Sequence, residues 1–279
     1  MSNYSKQWSS KEPGYLIFLL DVSGSMKEDY EAGKSRLEYA SLVINNSIKD
    51  ICLANMNGVI PKDRVHISII TYNNTVEVQV SDYLSKIYEN PKNTIKVRKK
   101  VPDGAGGLIE IDTEIQNWVD ANATGVTHMA EAFRTAKELI HGWIREHTDG
   151  AAPIIINVSD GMPYDGISED ESKFRCIQEV LEIKDIQTGD GAPLVFNAHI
   201  GEKGSPCKYP TSNNNLGEQA RFLFEISSDI PESMMKTAKH IELEAVFGSK
   251  GMISNASPVE LIKFINFGSS GGIRDIGEN

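Results

Sequence analysis

Positive charge is in short supply. The 279 residues carry 28 Lys and Arg against 39 Asp and Glu, a net charge of −11 with histidine neutral. Nucleic acids and anionic membranes are held by clustered positive charge, so neither is expected as a partner. The one basic run, Lys96-Val97-Arg98-Lys99-Lys100, is short and reads as a solvated strand or loop. Cysteine is scarce too. Cys52, Cys176 and Cys207 are odd in number, widely separated and without CxxC spacing. That excludes a disulfide framework and a zinc site of the usual pattern. They are expected as small apolar fillers in a reducing cytoplasm. No apolar run approaches the roughly 20 residues of a membrane span. The opening MSNYSKQWSSKEPG has no apolar h-region, so no signal peptide is read.

Short apolar runs alternate with helical periods along the chain. Tyr15–Leu20, Val65–Ile70, Ile154–Val158 and Leu194–Ile200 read as strands buried on both faces. Thr75–Val80 alternates Val76, Val78 and Val80 with Glu77 and Gln79, as on a half-exposed edge strand. Tyr72-Asn73-Asn74 before it supplies a tight turn, making an antiparallel hairpin at one margin. Leu37, Ala40, Ile44, Ile48 and Ile51 define a helix from about Ser35 to Leu53. Met129, Ala132, Phe133, Ala136, Leu139, Ile140 and Trp143 define a second after Thr127, and Phe174, Ile177 and Leu181 mark a third. Ser168 with Glu171, and Ser257-Pro258-Val259-Glu260, carry capping-box spacing. The pattern predicts a doubly wound α/β fold with a mostly parallel central sheet, one antiparallel edge strand and helices on both faces. A single domain is expected over 14–267, with an ordered insertion at about 86–122 and tails at 1–13 and 268–279. His66 and His199 fall inside strands and are read as satisfied core histidines.

In open α/β sheets, ligands sit outside the carboxyl ends of the strands. Asp21 ends the first strand, and Ser23 and Ser25 follow it. Alternate residues of an extended loop point the same way, so these three are expected to converge. Asp160-Gly161 ends a second core strand. Thr124-Gly125-Val126-Thr127 leads into a helix, with Thr127 also suited to capping it. All of these side chains offer oxygen, and none offers sulfur or imidazole. That chemistry suits a hard divalent cation, with Mg2+ first on cytoplasmic abundance and Ca2+ or Mn2+ as alternatives. Two carboxylates neutralise such an ion and leave room for an outside acid. His128 and Gly161 border the site as candidate partner contacts.

Together, Asp21-Val22-Ser23-Gly24-Ser25, Thr127 and Asp160 resemble the metal-ion-dependent adhesion site of von Willebrand factor type A domains. The resemblance implies Ser23, Ser25 and Thr127 as direct metal ligands, with Asp21 and Asp160 acting largely through water. Val126 stands where a second glycine is common, and Thr124 is the alternative hydroxyl. The stretches VPDGAGGLIE (Val101–Glu110), ANATGVTHMAEAF (Ala121–Phe133), PIIINVSDGMPYDG (Pro153–Gly166) and LFEISSDIPESM (Leu223–Met234) resemble a bacterial cytoplasmic branch of that family. That branch is tellurite-resistance-like and is encoded near Ser/Thr kinases and PP2C-type phosphatases. The likeness runs from about Gly14 to Phe267. It implies a non-enzymatic module that captures an Asp or Glu of a protein partner in a signalling or stress-response assembly. A magnesium-dependent phosphohydrolase of the haloacid-dehalogenase type is the alternative enzyme. It wants a second aspartate where this chain has Ser23, and a hydroxyl is a poor proton-transfer group there. A metal-independent scaffold acting through the insertion is the other alternative. Ser23 and Ser25 lack a Gly-x-Ser-x-Gly elbow. Gly104-Ala105-Gly106-Gly107 lacks the Gly-Lys-Ser/Thr of a phosphate loop.

Overall fold

Tyr15–Leu20 has no charged side chain, and it forms the body of the central strand β1 (Gly14–Asp21), in which every residue is buried. The computed structural model describes residues 4–31, 33–102, 107–120, 122–201, 206–255 and 257–269. After β1 come a short ladder β2 (Asp29–Glu31) and β3 (Lys34–Ser35), helix α1 (Arg36–Ala54), and a second short ladder β4 (Met56–Asn57) and β5 (Ile60–Pro61). Strands β6 (Val65–Tyr72) and β7 (Val76–Tyr83), helix α2 (Leu84–Glu89) and strands β8 (Asn93–Pro102) and β9 (Leu108–Asn117) follow. The second half contains α3 (Met129–Glu146), β10 (Ile154–Ser159), α4 (Glu169–Asp185), β11 (Leu194–His199) and β12 (Cys207–Lys208). It closes with α5 (Glu218–Ile226), α6 (Met235–His240), β13 (Met252–Ser254) and α7 (Pro258–Ser269).

Seven strands form the main sheet in the order β12-β13-β11-β10-β1-β6-β7. The inner pairs β1–β10, β1–β6, β10–β11 and β11–β13 are parallel. The hairpin read at Thr75–Val80 is β7, antiparallel to β6. The opposite margin is antiparallel too, through β12 on β13, a pairing of two residues too short to show a period. The pleat of β1 divides the core. Leu16, Phe18 and Leu20 pack with Leu37, Ala40 and Ile44 of α1 and Phe264 of α7. Tyr15, Ile17 and Leu19 pack on the other face with Phe133 of α3, Val180 of α4 and Leu223 of α5.

Several local expectations need correction. Helix α1 starts on a full capping box, with Ser35 Oγ accepting from Glu38 N–H and Glu38 accepting from Ser35 N–H. The buried stripe of α4 is Ser172, Cys176, Val180 and Ile183, while Phe174 and Leu181 face solvent at 58% and 49% exposure. The apolar count picked the wrong side because serine and cysteine occupy the inner positions. The expected insertion holds a helical turn, α2, and the β8–β9 ribbon, whose ladder pairs Lys96 with Glu114 and Arg98 with Asp112. Trp118 roots this ribbon, with its indole N–H donating to Ile87 O at 2.8 Å. The glycine-rich stretch at 103–106 and the end of the chain from 270 lie outside the described residues, and α7 continues through Ser269. Ahead of β1, Trp8 is buried against Gly14, and Ser5 N–H donates to Asp190 Oδ1 at 2.7 Å. Among the described residues no helix is long and apolar enough to cross a membrane.

Candidate metal centre

Parallel pairing of β1 and β10 sets Leu20 beside Val158, so the next residues of both strands emerge together. Asp21 is fully buried there. Its Oδ1 accepts from Ser23 N–H at 2.8 Å and its Oδ2 from the Ser159 hydroxyl at 2.7 Å. Ser23 keeps an extended backbone, and the chain then turns into a 3-10 helix, Gly24–Lys27. The extended stretch therefore stops at Ser23, and the turn after it leaves Ser23 Oγ 3.2 Å from Ser25 Oγ. Ser25 Oγ in turn donates to Asp160 Oδ1 at 2.9 Å.

The loop 124–127 is tied to the first loop through main-chain atoms. Thr124 N–H donates to Val22 O at 2.8 Å, and Gly24 N–H donates to Gly125 O at 2.9 Å. Gly125 has a φ of +77°, the left-handed region that favours glycine. Its neighbour Val126 donates its N–H to Asn74 Oδ1 at 2.9 Å. Thr127 is buried and bridged to Tyr164 by two main-chain bonds of 3.2 and 2.9 Å. It does not cap α3, because His128 holds that position without a side-chain bond. Thr127, Ser25, Asp160 and Gly161 line one cleft of about 530 Å³. Thr124 lies elsewhere, exposed and accepting from Asn73 Nδ2 at 3.0 Å, and it lines a separate cleft. His128 is absent from the cleft wall. Its charge acts instead on Asp165, whose carboxyl is raised chiefly by burial and lowered in turn by His128.

The two carboxylates sit in different surroundings. Asp21 is pushed up to about 7, first by burial and then by the charge of Asp160, against the lowering effect of its bonds to Ser23 and Ser159. None of its hydrogen bonds among the described residues comes from a cationic side chain. Asp160 has a cation of its own: Arg36 Nη1 lies 2.7 Å from Oδ2, and Arg36 Nη2 lies 2.7 Å from Glu28. Neither Arg36 nor Ser159 was expected at the site. Ser159 had a signal, since it directly precedes Asp160 on the strand end. Arg36 had none, being 124 residues away from Asp160 in sequence. His199 also borders the cleft. Its Nδ1 pairs with Ser254 Oγ at 2.8 Å, Nε2 has no hydrogen-bond partner among the described residues, and burial lowers it to about 4. His66 likewise has no partner at Nδ1, so among the described residues neither strand histidine is fully satisfied.

Among the described residues no cluster of three or more His, Cys, Asp or Glu side chains is formed to hold a metal. The oxygens here come as two carboxylates supplemented by the hydroxyls of Ser23, Ser25 and Thr127. That donor set suits a hard cation. Asp21 is buried and pairs with no cationic side chain among the described residues.

A mostly parallel sheet with helices on both faces defines an α/β domain, and the oxygen-rich cluster at the carboxyl ends of β1 and β10 is its candidate site. The chain belongs to the von Willebrand factor type A domain family, whose profile matches residues 16–162. Among solved structures, it is similar to the three N-terminal domains of the type V pili tip protein Mfa5 from Porphyromonas gingivalis. The identity is 14% over 56% of this chain and 22% of that one, with a TM-score of 0.34. It is also similar to the conserved hypothetical protein BatB from Bacteroides thetaiotaomicron, at 15% identity over 94% of this chain and all of that one, with a TM-score of 0.45. A third is proximal thread matrix protein 1 from the mussel byssus, solved with a zinc-occupied MIDAS motif. It is 11% identical over 96% of this chain and 46% of that one, with a TM-score of 0.45. The chain thus spans about a fifth of the pilus protein and under half of the byssus protein. No curated protein matches it.

Proposed function

We propose that this protein is a non-enzymatic binding module that uses a divalent cation to capture an acidic side chain of a partner protein. The observation that carries the reading is the cluster at the ends of β1 and β10. There Asp21, Ser23, Ser25 and Asp160 are linked by bonds of 2.7–3.2 Å with Ser159, and Asp21 is a buried carboxylate that pairs with no cationic side chain among the described residues. Ser23, Ser25 and Thr127 would hold the ion directly, and Asp21 and Asp160 would balance its charge. When bound, the ion supplies a Lewis-acidic position able to accept an outside carboxylate oxygen. The chain's part is to keep the hydroxyls close together and to leave one side of the cleft open, where Gly161 presents no side chain.

Mg2+ is the proposed ion, with Ca2+ and Mn2+ as alternatives. The proposed setting is a bacterial cytoplasmic signalling or stress-response assembly of the tellurite-resistance-like kind. Its proposed partner class is a Ser/Thr kinase, a PP2C-type phosphatase or one of their substrates. The direct test is calorimetric titration of Mg2+, Ca2+ and Mn2+ into chelator-stripped protein, beside Asp21→Ala. Saturable binding lost in the variant supports the reading. Equal silence of both proteins refutes it. Capture of a kinase or phosphatase expressed from a neighbouring gene, abolished by chelator, would test the assembly. Turnover of a generic phosphate ester that vanishes in Asp21→Asn would favour the enzyme instead.

A further inference from the structure

Arg36 is the first residue of α1, and its guanidinium is carried into the centre of the polar cluster. Its side chain is 7% exposed and that of Asp160 is 3% exposed, so the pair is almost wholly withdrawn from water. A buried carboxylate needs a counter-charge. Here Nη1 supplies it to Asp160 Oδ2, while Ser25 Oγ occupies Oδ1, so both oxygens of Asp160 are engaged within the chain. The second nitrogen, Nη2, reaches outward to Glu28, whose side chain is 58% exposed. Glu28 is also bound by its main chain, accepting Arg36 N–H at 2.9 Å and donating its own N–H to Ser25 O at 3.0 Å. The guanidinium therefore has two anchors, one buried on the metal-site carboxylate and one at the rim. Its Nε is buried and has no hydrogen-bond partner among the described residues.

We propose that Arg36 is a tethered counter-cation that competes with the divalent ion for Asp160 and so sets the affinity of the site. This rests on the metal reading above. The physical reason is like-charge repulsion at close range, which is strong where water is excluded. Without the ion, Arg36 neutralises Asp160 and keeps the empty cluster from expelling its own carboxylates. With the ion, Asp160 has a second cation beside it, and the guanidinium gives way toward Glu28 at the rim. Asp21, Asp160, Glu28 and Arg36 together carry two net negative charges, so a divalent ion brings the cluster to neutrality. The ion's open position then takes an outside acidic oxygen, and a guanidinium displaced toward the rim is placed to meet the second oxygen of that acid. Arg36 is thus a positioning residue for the metal and a specificity residue for the acid.

The test uses Mn2+ alone as probe, with wild type, Arg36→Met, Arg36→Lys and Asp21→Ala. Affinity is read by calorimetry and by electron paramagnetic resonance of free Mn2+, and thermal melts are run with and without chelator. Removing the competing charge should tighten Mn2+ binding in Arg36→Met by about tenfold or more. Its midpoint should fall in chelator and recover with Mn2+ by more than wild type gains. Arg36→Lys, which keeps the charge and guards against a variant that fails to fold, should tighten Mn2+ binding by clearly less than Arg36→Met does. Mn2+ binding in Arg36→Met alone, with wild type silent, would also support the competition. Equal or weaker binding in Arg36→Met beside a binding wild type overturns it, because Arg36 would then only orient Asp160. A tightening in Arg36→Lys as large as in Arg36→Met overturns it as well, since charge would not be the cause. Absence of Mn2+ binding in every protein overturns the metal reading itself, a result distinct from the other two.

Discussion

Gly125→Ala isolates the geometry that holds the two site loops together. A Cβ built at Gly125 would fall 1.5 Å from Asn74 Oδ1, and the residue's φ is +77°. Placing alanine in the left-handed region costs about 1–2 kcal/mol. The amide of Asn74 must also move, which breaks its 2.9 Å bond from Val126 N–H, worth about 1 kcal/mol. The sum is about 2–3 kcal/mol. At about 2–4 °C per kcal/mol for a domain of this size, the melting midpoint should fall by roughly 5–10 °C. Urea denaturation and calorimetry measure it. The double variant Asn74→Ala/Gly125→Ala separates the two terms, because the clash partner is then gone and the backbone strain adds to a single loss of the Val126 N–H bond. The pair should therefore cost about 1 kcal/mol less than the sum of the single variants. Additive losses, or a Gly125→Ala protein within 0.5 kcal/mol of wild type, would refute the argument that this glycine is required by its neighbour and its dihedral angle.

Other expectations follow from the buried groups. A carboxyl raised to about 7 when folded binds a proton that the unfolded chain releases from about 3.8 upward, so Asp21 lowers stability progressively across that window as pH rises. In chelator at pH 8, Asp21→Asn should therefore be more stable than wild type by about 1–3 kcal/mol, with no further rise on adding metal; equal or lower stability would count against it. His66, held neutral and lowered to about 4 by burial, works in the acid range. The unfolded chain takes up its proton below about 6.5, so stability should fall between about pH 6.5 and 4, by about 1–2 kcal/mol after allowing for its partial exposure. In His66→Phe that part of the acid slope should vanish from pH-dependent melts. Asn157 joins Tyr72 Oη, at 2.8 Å, to Asn197 Oδ1, at 3.0 Å, in a chain that continues to Ser227. Asn157→Leu orphans both partners and should cost about 3 kcal/mol in urea. A neutral result would show that buried water replaces the amide.

Much of the frame was legible because its signals are local. Tyr15–Leu20 and Ile154–Val158 declare themselves as doubly buried strands by lacking polar alternation. Once both are parallel neighbours, Asp21 and Asp160 must emerge at the same end. The less legible parts are those in which chemistry is set by distant contacts. Ser172 and Cys176 line the inner face of α4, and no periodic count of large apolar residues selects them. The strands Cys207–Lys208 and Met252–Ser254 are too short to carry a period and exist because a neighbouring edge offers hydrogen bonds. The ribbon from Asn93 to Asn117 did carry alternation around Ile95 and Val97, but Lys99 interrupts it. At the site, the hydroxyls and carboxylates were visible as an ordered series of motifs. Arg36 was not, because only the packing of α1 against β1 brings it to Asp160.

The way β1 serves two packing layers has a consequence for how the site comes into being. Odd and even residues of this one strand are shared between two separate apolar clusters, and its last residue is Asp21. Neither layer closes without the strand, and the strand has no water-facing side on which to wait. An intermediate with one layer assembled would leave half of β1 bare and Asp21 unanchored. Binding competence should therefore arrive in a single cooperative event, with amide protons of β1 among the slowest in the chain to exchange and no ligand-ready state populated before them.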